Sequence, residues 1–554
     1  MKTKAIKSLI LSAVGAVAFS SITVGTTFAL FTSNAEATIK VGSGKIDVNL
    51  EAKNLQTYSA KYQTDHYESV ATAINGTFTN GGTASLVNGN LELSKVTPGD
   101  RVTFSVDFSN TTNVNYQYRL LFEAVSSDKT LATALQIKTD ISGSEQTYKY
   151  LNKYISSWEY REAGDNDIDS LTFDVELPIE VGNTYQEKEI TYQLSIEAIQ
   201  GNAHVEDEAK TEYLVMTYEQ LKELSIIPGI TISLQNDIDV PVSTEKSGTS
   251  GAMEIFEPEK MEIAAGNIIN GNGHKLVLPE FKVTPEELNL IATYVVKIGG
   301  DNVELRNLEI DASRILNQGG SLIDCNNVDN IKIDNCSFIG DPDYAGNGKV
   351  LGHVSKNIVV SNTTSKDTFA FIYGNDIDKL DGTITVVNSF ISTDAYTVNV
   401  GDGVSGNAKI HVKDSILAGW TSFAGLDKAI FDNVQFKHSS TKEIYDAYMN
   451  YFINYNYTEF NNCTFNVEVS NTTYYGFFIN PDGKTNDLDA NVRNDATKTV
   501  FNNCKVNYVT NGEGTNLEDL GPNNVIKFKE DNDFKCTING VQYKVTGAEA
   551  TELQ

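Results

Sequence analysis

The sequence predicts an all-β protein with two differently built parts. The first is an antiparallel jelly roll or sandwich, and the second is a right-handed parallel β-helix that begins with a short capping helix. Three observations lead to this prediction: short strands of period two, a polar corner residue that recurs at a nearly constant step, and a capped helix between the two regions. At 554 residues the chain is also too long for one hydrophobic core.

The first part, residues 30–203, alternates apolar and polar residues in short runs that end in turns. Residues 102–108 read VTFSVDF and residues 192–196 read YQLSI, and a Pro-Gly-Asp turn at residues 98–100 precedes the first of these runs. Alternation of this kind is typical of strands that bury one face of an antiparallel sheet. This pattern therefore predicts a sandwich or jelly roll.

The second part carries a loose repeat whose aligned residue is Asn or Asp. The first four intervals are 28, 27, 26 and 26 residues, which is typical of a solenoid. Asn tolerates the left-handed backbone of a tight corner, and its amide can hydrogen-bond to the next coil. Cysteines that directly follow the corner are expected to be small, buried, unpaired thiols. The aligned positions are 307, 335, 362, 388, 414, 433, 462 and 503, and the cysteines are Cys336, Cys463 and Cys504.

The chain divides into four predicted segments. Residues 1–29 contain lysines near the start, followed by an apolar run and then small residues. This pattern predicts a cleaved signal peptide. Residues 30–203 form the jelly roll, residues 204–212 a charged linker, and residues 213–554 the β-helix, where Thr217 and Gln220 predict a capping box. No later segment is apolar enough to span a membrane. We therefore expect a secreted protein, either extracellular or on the cell surface.

Several motifs of the first part, in their order and spacing, resemble the TasA/camelysin family of exported matrix proteins. They are TTFALFT at residues 26–32, SGKIDV at 43–48, PGD at 98–100 and EAIQ at 197–200. The resemblance covers about residues 1–203, and it implies a Gram-positive surface or biofilm matrix and homo-oligomers built by strand donation. The donor strand that it implies begins at Leu30, Phe31 and Thr32; alternatively, this strand pairs within its own domain.

The second part resembles the right-handed β-helix family, which includes pectate lyases. The resemblance rests on the repeat and on the Gly-rich turn INGNGH at residues 269–274. It spans roughly residues 213–545 and implies a fold without implying an activity.

The net charge of −30, from 43 basic and 73 acidic residues, argues against binding nucleic acid through phosphate contacts. Two acidic segments are candidate calcium sites, although Ala345 stands where the first would need an oxygen ligand, and both segments are also explained as solvated loops. No other cofactor is expected. The calcium candidates are Asp341, Asp343, Asp482, Asp487 and Asp489.

No catalytic constellation stands out in the sequence, because the second part is poor in arginine and lacks a paired-Asp motif. We therefore expect a structural or binding protein of the extracellular matrix or cell surface, such as an adhesin with a polysaccharide or cell-wall ligand, and not an enzyme. The alternative is a secreted polysaccharide lyase or glycoside hydrolase. That alternative would be favoured by two carboxylates within about 5–10 Å on one outer face of the β-helix, in a groove together with an arginine.

Tyrosines crowd one stretch of the second part, and they could stack on sugar rings or fill the interior. The sequence leaves these two alternatives open. The tyrosines concerned are Tyr445, Tyr448, Tyr451, Tyr455 and Tyr457.

Overall fold

The computed structural model is almost entirely β, which confirms the predicted fold class of an antiparallel sandwich followed by a parallel β-helix. It divides into two compact units: residues 1–127, 136–148 and 154–209 form the first, and residues 128–135, 149–153 and 210–554 form the second. The structure describes residues 48–62, 66–165, 169–201, 209–245, 248–250, 253–282, 294–316, 321–341, 349–354, 356–374, 380–400, 408–423, 426–437, 450–454, 457–469, 477–480, 494–510, 513–519, 533–546 and 549–554.

The first unit contains two sheets of mainly antiparallel strands. One has the order β2-β1-β5-β11-β7-β8, and the other contains β3, β4, β12, β6 and β10 as successive neighbours. The strands are β1 (Val48–Tyr62), β2 (Tyr67–Ala71), β3 (Thr83–Val87), β4 (Asn90–Ser94), β5 (Arg101–Asn110), β6 (Tyr116–Ala124), β7 (Gln136–Thr139), β8 (Gln146–Lys149), β10 (Glu159–Arg161), β11 (Asp169–Glu176) and β12 (Glu189–Gln200). The short strand β9 (Leu151–Ile155) has its first three residues in the second unit.

The alternation in the sequence becomes the core of this unit. Every second residue of β5 and of β6 is buried. The rings of Phe104 and Phe173 stack at 4.8 Å, and those of Phe122 and Tyr192 also stack at 4.8 Å. Offset stacking of this kind adds to the stabilisation that burial of large apolar side chains provides.

In the second unit, one parallel sheet, here called sheet 1, forms a continuous side of the β-helix. Each strand pairs with the corresponding strand of the next coil. Its strands are β13 (Lys210–Val215), β14 (Thr231–Leu234), β19 (Ile268–Asn270), β23 (Glu304–Arg306), β27 (Ile331–Asp334), β30 (Ile358–Ser361), β32 (Thr383–Val387), β34 (Lys409–Lys413), β36 (Lys428–Asp432), β39 (Tyr457–Asn461), β42 (Thr499–Asn502) and β45 (Asp533–Ile538).

A second, mostly parallel sheet, here called sheet 2, contributes the remaining strands of the coils. They are β15 (Ile238–Asp239), β18 (Met261–Ile263), β20 (Lys275–Val277), β22 (Tyr294–Ile298), β24 (Glu309–Asp311), β26 (Ser321–Asp324), β28 (Ser337–Ile339), β29 (Lys349–Gly352), β31 (Thr364–Gly374), β33 (Phe390–Val400), β35 (Ile416–Phe423), β37 (Gln435–Lys437), β38 (Asn450–Asn454), β40 (Thr464–Val469), β41 (Phe477–Asn480), β43 (Lys505–Thr510) and β44 (Glu513–Asp519).

The remaining elements of the second unit are a helix and several short strands. Helix α1 (Tyr218–Ser225) carries the predicted capping box: the Gln220 N–H donates to Thr217 Oγ1, and the Thr217 N–H donates to Gln220 Oε1, both at 3.3 Å. At the other end, β46 and β47 continue sheet 1 as antiparallel strands. The remaining strands are β16 (Gly248–Ser250), β17 (Met253–Ile255), β21 (Phe281–Lys282), β25 (Ile315–Leu316), β46 (Val541–Thr546) and β47 (Glu549–Glu552).

The corner after eight successive strands of sheet 1, from β23 to β42, is the predicted Asn or Asp. All eight aligned residues have φ between 48° and 55°, the left-handed region that Asn tolerates better than other residues with side chains. Their amides also hydrogen-bond along the helix: Asn335 Nδ2 donates to Asn307 Oδ1 at 2.8 Å, and Asn388 Nδ2 donates to Asn362 Oδ1 at 2.7 Å. The predicted corner ladder is therefore confirmed.

The residue after each corner points inward and forms a second column. Ser389 shows the hydrogen bonds: its hydroxyl donates to the Val387 carbonyl at 2.8 Å and accepts the Thr363 N–H at 3.1 Å. The predicted thiols occupy the same column and are buried and free, with exposed fractions of 4%, 0% and 2% for Cys336, Cys463 and Cys504. Small side chains recur here because the column lies inside the coil.

Phenylalanines on sheet 1 stack through the interior of the last coils. The ring of Phe460 lies 5.1 Å from that of Phe431 and 5.0 Å from that of Phe501, with interplanar angles of 12° and 7°. All three side chains are fully buried. Because like residues stack only when the coils are in register, this ladder helps to fix the strand register in this region.

Replacement of Asn388 by alanine tests the corner ladder. The change removes the amide that donates to Asn362, and it places alanine in a left-handed backbone conformation that alanine disfavours. We therefore expect the β-helix to lose about 1–3 kcal/mol of unfolding free energy. Asn388→Gly, which adopts this backbone without strain, should lose less. Urea unfolding of both variants measures the effect, and an alanine variant as stable as wild type would contradict the proposed role of the ladder.

The buried thiols give a second prediction. Burial raises the pKa of the Cys325, Cys336 and Cys536 thiols to about 12, and the thiolate is the reactive form. We expect the folded protein at pH 8 to resist a thiol-specific disulfide reagent such as DTNB, and the denatured protein to react at every cysteine. Rapid reaction of the folded protein would contradict the burial of these residues.

Candidate functional site

A continuous polar surface lies on the outer face of sheet 1 where three successive coils meet. Strands β34, β36 and β39 pair in parallel and in register, and each presents three alternate residues outward. We call these nine residues the patch: Lys409, His411 and Lys413 from β34; Lys428, Ile430 and Asp432 from β36; and Tyr457, Glu459 and Asn461 from β39.

The interior side of the same strands holds the patch in place. The residues between the patch residues are at most 1% exposed and pack inside the coil. Strand alternation then fixes the opposite, outward direction of the patch side chains. The interior residues are Ile410, Val412, Ala429, Phe431, Thr458 and Phe460.

The register brings together side chains that lie far apart in the sequence. His411 Nε2 lies 2.7 Å from Asp432 Oδ2. Asn461 Nδ2 donates to Asp432 Oδ1 at 2.8 Å and to Glu459 Oε1 at 3.2 Å. The Tyr457 hydroxyl donates to Glu459 Oε2 at 2.9 Å. The two carboxylates are therefore joined through one amide, and each has a further partner.

The separation of the two carboxylates follows from the shared amide. Because one nitrogen contacts Asp432 Oδ1 at 2.8 Å and Glu459 Oε1 at 3.2 Å, these oxygens are at most about 6 Å apart, within the range of carboxylate pairs in glycoside hydrolases. Asp432 and His411 keep 34% and 39% of their side chains exposed. Asp432 is thus accessible from solvent, and its separation from Glu459 meets the expected distance, but the nine residues of the patch do not include the expected arginine.

The surroundings of the patch shift two pKa values. Partial burial would raise the pKa of the Asp432 carboxyl, but hydrogen bonds from Asn461 and His411 and the charge of Lys413 outweigh burial and lower this pKa below its usual value. Desolvation, together with the hydrogen bond to Glu459, raises the pKa of Tyr457 to about 12. At neutral pH, Asp432 is therefore ionised and Tyr457 is a hydrogen-bond donor.

A second polar group lies on sheet 2, where His353 Nδ1 is 2.7 Å from Asp324 Oδ1. The in-register neighbour of Asp324 is Lys297, which pairs with Glu262 at 3.1 Å. A lysine thus separates the two carboxylates, which are two coils or about 10 Å apart by the usual strand spacing. The patch on sheet 1 is the stronger candidate for a site with two cooperating carboxylates.

The calcium candidates and the predicted assembly strand are not among the nine residues of the patch. Asp341 follows β28, while Asp343, Asp482, Asp487 and Asp489 lie outside the described residues, so calcium binding stays a prediction. Within the described ranges, no three His, Cys, Asp or Glu residues group closely enough to hold a metal. The predicted assembly strand at Leu30, Phe31 and Thr32 also lies outside them.

Sequence reasoning missed Asp432, Glu459 and Asn461 as site residues. The aligned corners carried a signal for them in the sequence. Asp432 directly precedes the corner Asn433, while Asn461 and Glu459 lie one and three positions before the corner Asn462. Among the crowded tyrosines, Tyr457 lies on the outer face. Tyr445, Tyr448 and Tyr455, as well as the side chain of Tyr451, lie outside the described part of the chain.

The chain is similar to solved structures of other proteins, although the similarity is low. No protein-family model matches the chain, and no curated protein matches it significantly. One similar structure is the catalytic domain of a GH87 alpha-1,3-glucanase in complex with nigerose, with 11% identity, a TM-score of 0.22, and coverage of 76% of this chain and 90% of that one. Another is a variant of such a domain in complex with tetrasaccharides, with 10% identity, a TM-score of 0.22, and coverage of 78% and 96%.

These comparisons correct one expectation and leave another without support. Both similar structures are catalytic domains, which contradicts the expectation that the chain is not an enzyme. The resemblance to the TasA/camelysin family gains no support, since no family model matches. At this identity and TM-score, the likeness carries no information on substrate or mechanism.

A search for membrane spans gave a negative result. Within the described ranges, no helix is both long and apolar enough to cross a bilayer.

The lowered pKa of Asp432 predicts a pH-dependent contribution to stability. A carboxyl with a depressed folded-state pKa stabilises the fold above its usual pKa of 3.8, and this contribution disappears as the pH falls through the folded-state value. Asp432→Asn should therefore destabilise the protein more at pH 6 than at pH 3. Urea unfolding at both pH values measures this difference.

The matched control is Asp427→Asn, which changes an exposed carboxyl on the same side of the β-helix. We expect a smaller difference between the two pH values for this control. An Asp432→Asn effect that is equal at pH 6 and pH 3 would contradict the stabilisation of the ionised carboxylate.

Proposed function

We propose that this protein is a secreted polysaccharide-active enzyme, a glycoside hydrolase whose active site is the patch. One observation carries the proposal: Asp432 and Glu459 come from different coils and meet on one exposed face, with oxygens at most about 6 Å apart. Two carboxylates flanking one bond are the usual requirement for hydrolysis of a glycosidic linkage.

The different surroundings of the two carboxylates suggest their roles. Asp432 is kept ionised by His411 and Asn461, so it is the candidate nucleophile. Glu459 is then the candidate acid that protonates the leaving oxygen. It contacts two donors, the Tyr457 hydroxyl and the Asn461 amide, which hold its carboxyl group on the same side as Asp432.

The separation of the carboxylates favours one stereochemical course. Retaining enzymes place the two groups about 5–5.5 Å apart, and inverting enzymes leave about 6.5–9.5 Å for a water molecule. A limit of about 6 Å fits the retaining geometry better. In this mechanism Asp432 attacks the anomeric carbon, the glycosidic bond breaks as Glu459 protonates the leaving oxygen, and water then hydrolyses the glycosyl-enzyme ester with Glu459 as base.

The form of the patch favours a polymer as substrate. The patch lies on the open face of a sheet and spans three coils, unlike the enclosed cavities that typically bind small ligands. A long chain can contact several coils at once, which offsets its loss of freedom on binding. The matrix or adhesin function expected from the sequence is less favoured, because no observation on the described residues supports it specifically.

Replacement of the two carboxylates tests the proposed activity. Asp432→Asn and Glu459→Gln should each lower kcat by at least about 100-fold, because each removes one of the two groups that the chemistry needs. The release of reducing ends from a panel of acidic and neutral polysaccharides measures activity. NMR of the first product formed should show retained anomeric configuration.

A matched control is Glu304→Gln, which removes a carboxylate on the same face of sheet 1 but in an earlier coil. It should leave the activity unchanged. Folding of all variants is checked by urea unfolding. Full activity of folded Glu459→Gln, or no cleavage of any polymer by the wild-type protein, would overturn the proposed function.

A further inference from the structure

We infer that the polysaccharide is anionic and that Lys409 and Lys428 recognise its acidic groups. This inference rests on the proposed function, because it names the substrate class of the same patch. It starts from Lys409 and Lys428, the two residues of the patch that share a column with Tyr457 and that the catalytic proposal does not use.

The two lysines are direct neighbours across two coils. Lys409 pairs in register with Lys428, so their side chains leave the same face of sheet 1 from strands about 4.8 Å apart. Like charges placed directly opposite on a sheet repel each other and destabilise the pairing. An anion bound between the two ammonium groups would remove this repulsion.

Neither lysine has a carboxylate partner among the described residues. The Lys428 amine lies 4.9 Å from the centre of the Tyr457 ring, and the exposed Lys409 forms no ion pair with a residue that the structure describes. Elsewhere on sheet 1, Lys332 pairs with Glu304 at 3.2 Å. The stacked pair is unusual in a chain with 73 acidic and 43 basic residues, where carboxylate partners are plentiful.

The position of the pair relative to the carboxylates gives it a role in substrate binding. Glu459 lies two residues beyond Tyr457, the in-register neighbour of Lys428, and Asp432 lies four residues beyond Lys428 on the same face. At the usual rise along a strand these separations are about 7 and 13 Å, the length of one or two sugar units. A sugar ring at Asp432 and Glu459 would therefore place its neighbour beside the lysines.

The chemistry of the ligand follows from these groups. Ammonium groups bind carboxylate and sulfate through charge-assisted hydrogen bonds, and such contacts are stronger than those between neutral groups. A neutral glucan offers hydroxyl groups only and would leave the repulsion between the lysines in place. A polymer of uronic acids or sulfated sugars satisfies both lysines.

The test compares the double variant Lys409→Gln/Lys428→Gln with wild type. Substrates are polygalacturonate, alginate, a sulfated galactan and a neutral glucan, and both turnover and binding by affinity electrophoresis are measured. We expect the double variant to raise KM for an acidic polymer about tenfold with little change in kcat, because the lysines bind substrate without taking part in bond cleavage. Binding by the wild type should weaken as salt is added.

The control variant is Lys332→Gln, which removes a lysine of the same face that already has a carboxylate partner. It should change neither KM nor binding. The uronate and sulfate polymers distinguish the two sources of negative charge. Binding is measured separately from cleavage, so it reports on the lysines even if no polymer is cleaved.

The outcomes separate this inference from the proposed function. Cleavage of the neutral glucan that depends on Glu459 but not on the two lysines would overturn the inference and leave the hydrolase proposal standing. Binding of an acidic polymer that is lost in the double variant, without cleavage of any polymer, would support the inference and overturn the hydrolase proposal. Equal binding of acidic polymers by the wild type and the double variant would also overturn the inference.

Discussion

The register between successive coils is the constraint on which the β-helix and its candidate site depend. Parallel strands stack about 4.8 Å apart, and a slip of one residue would turn every outward side chain inward. Two features fix the register near the site. The left-handed corner residues end the strands from β23 to β42 at the same place, and the interior stack of Phe431, Phe460 and Phe501 aligns the coils.

This register creates chemistry that no single segment of the chain contains. Asp432 and Glu459 belong to different coils, and Asn461 contacts both because it follows Asp432 in its column and Glu459 in its strand. The apolar interior directly beneath holds these strands in place. The same stacking sets Lys409 beside Lys428, so the proposed catalytic pair and the proposed binding pair arise from the same repeat.

The fold could be predicted from the sequence because its main requirement is local. A left-handed corner favours Asn or Asp at the residue concerned, and Asn occupies seven of the eight predicted positions, with Asp at 414. The alternation of β5 and the capping box at Thr217 are local in the same sense. Each of these signals depends on neighbours within a few residues.

The site could not be predicted in the same way, because it depends on contacts between coils of unequal length. After Asp414 the corner intervals become 19, 29 and 41 residues, so the nearly constant step fails where the site lies. Outward positions also accept many polar residues, so Glu459 and Asp432 do not stand out as a motif. Alignment on the corners, instead of a search for adjacent residues, would have placed them on one face.

The most direct test is a crystal structure of the Glu459→Gln variant with an oligosaccharide of the polymer that the protein binds best. We expect a glycosidic oxygen within hydrogen-bonding distance of residue 459, the anomeric carbon facing Asp432, and Asn461 still in contact with both side chains. A sugar bound away from sheet 1, or side chains at 432 and 459 pointing apart, would contradict the proposal that coil register builds an active site.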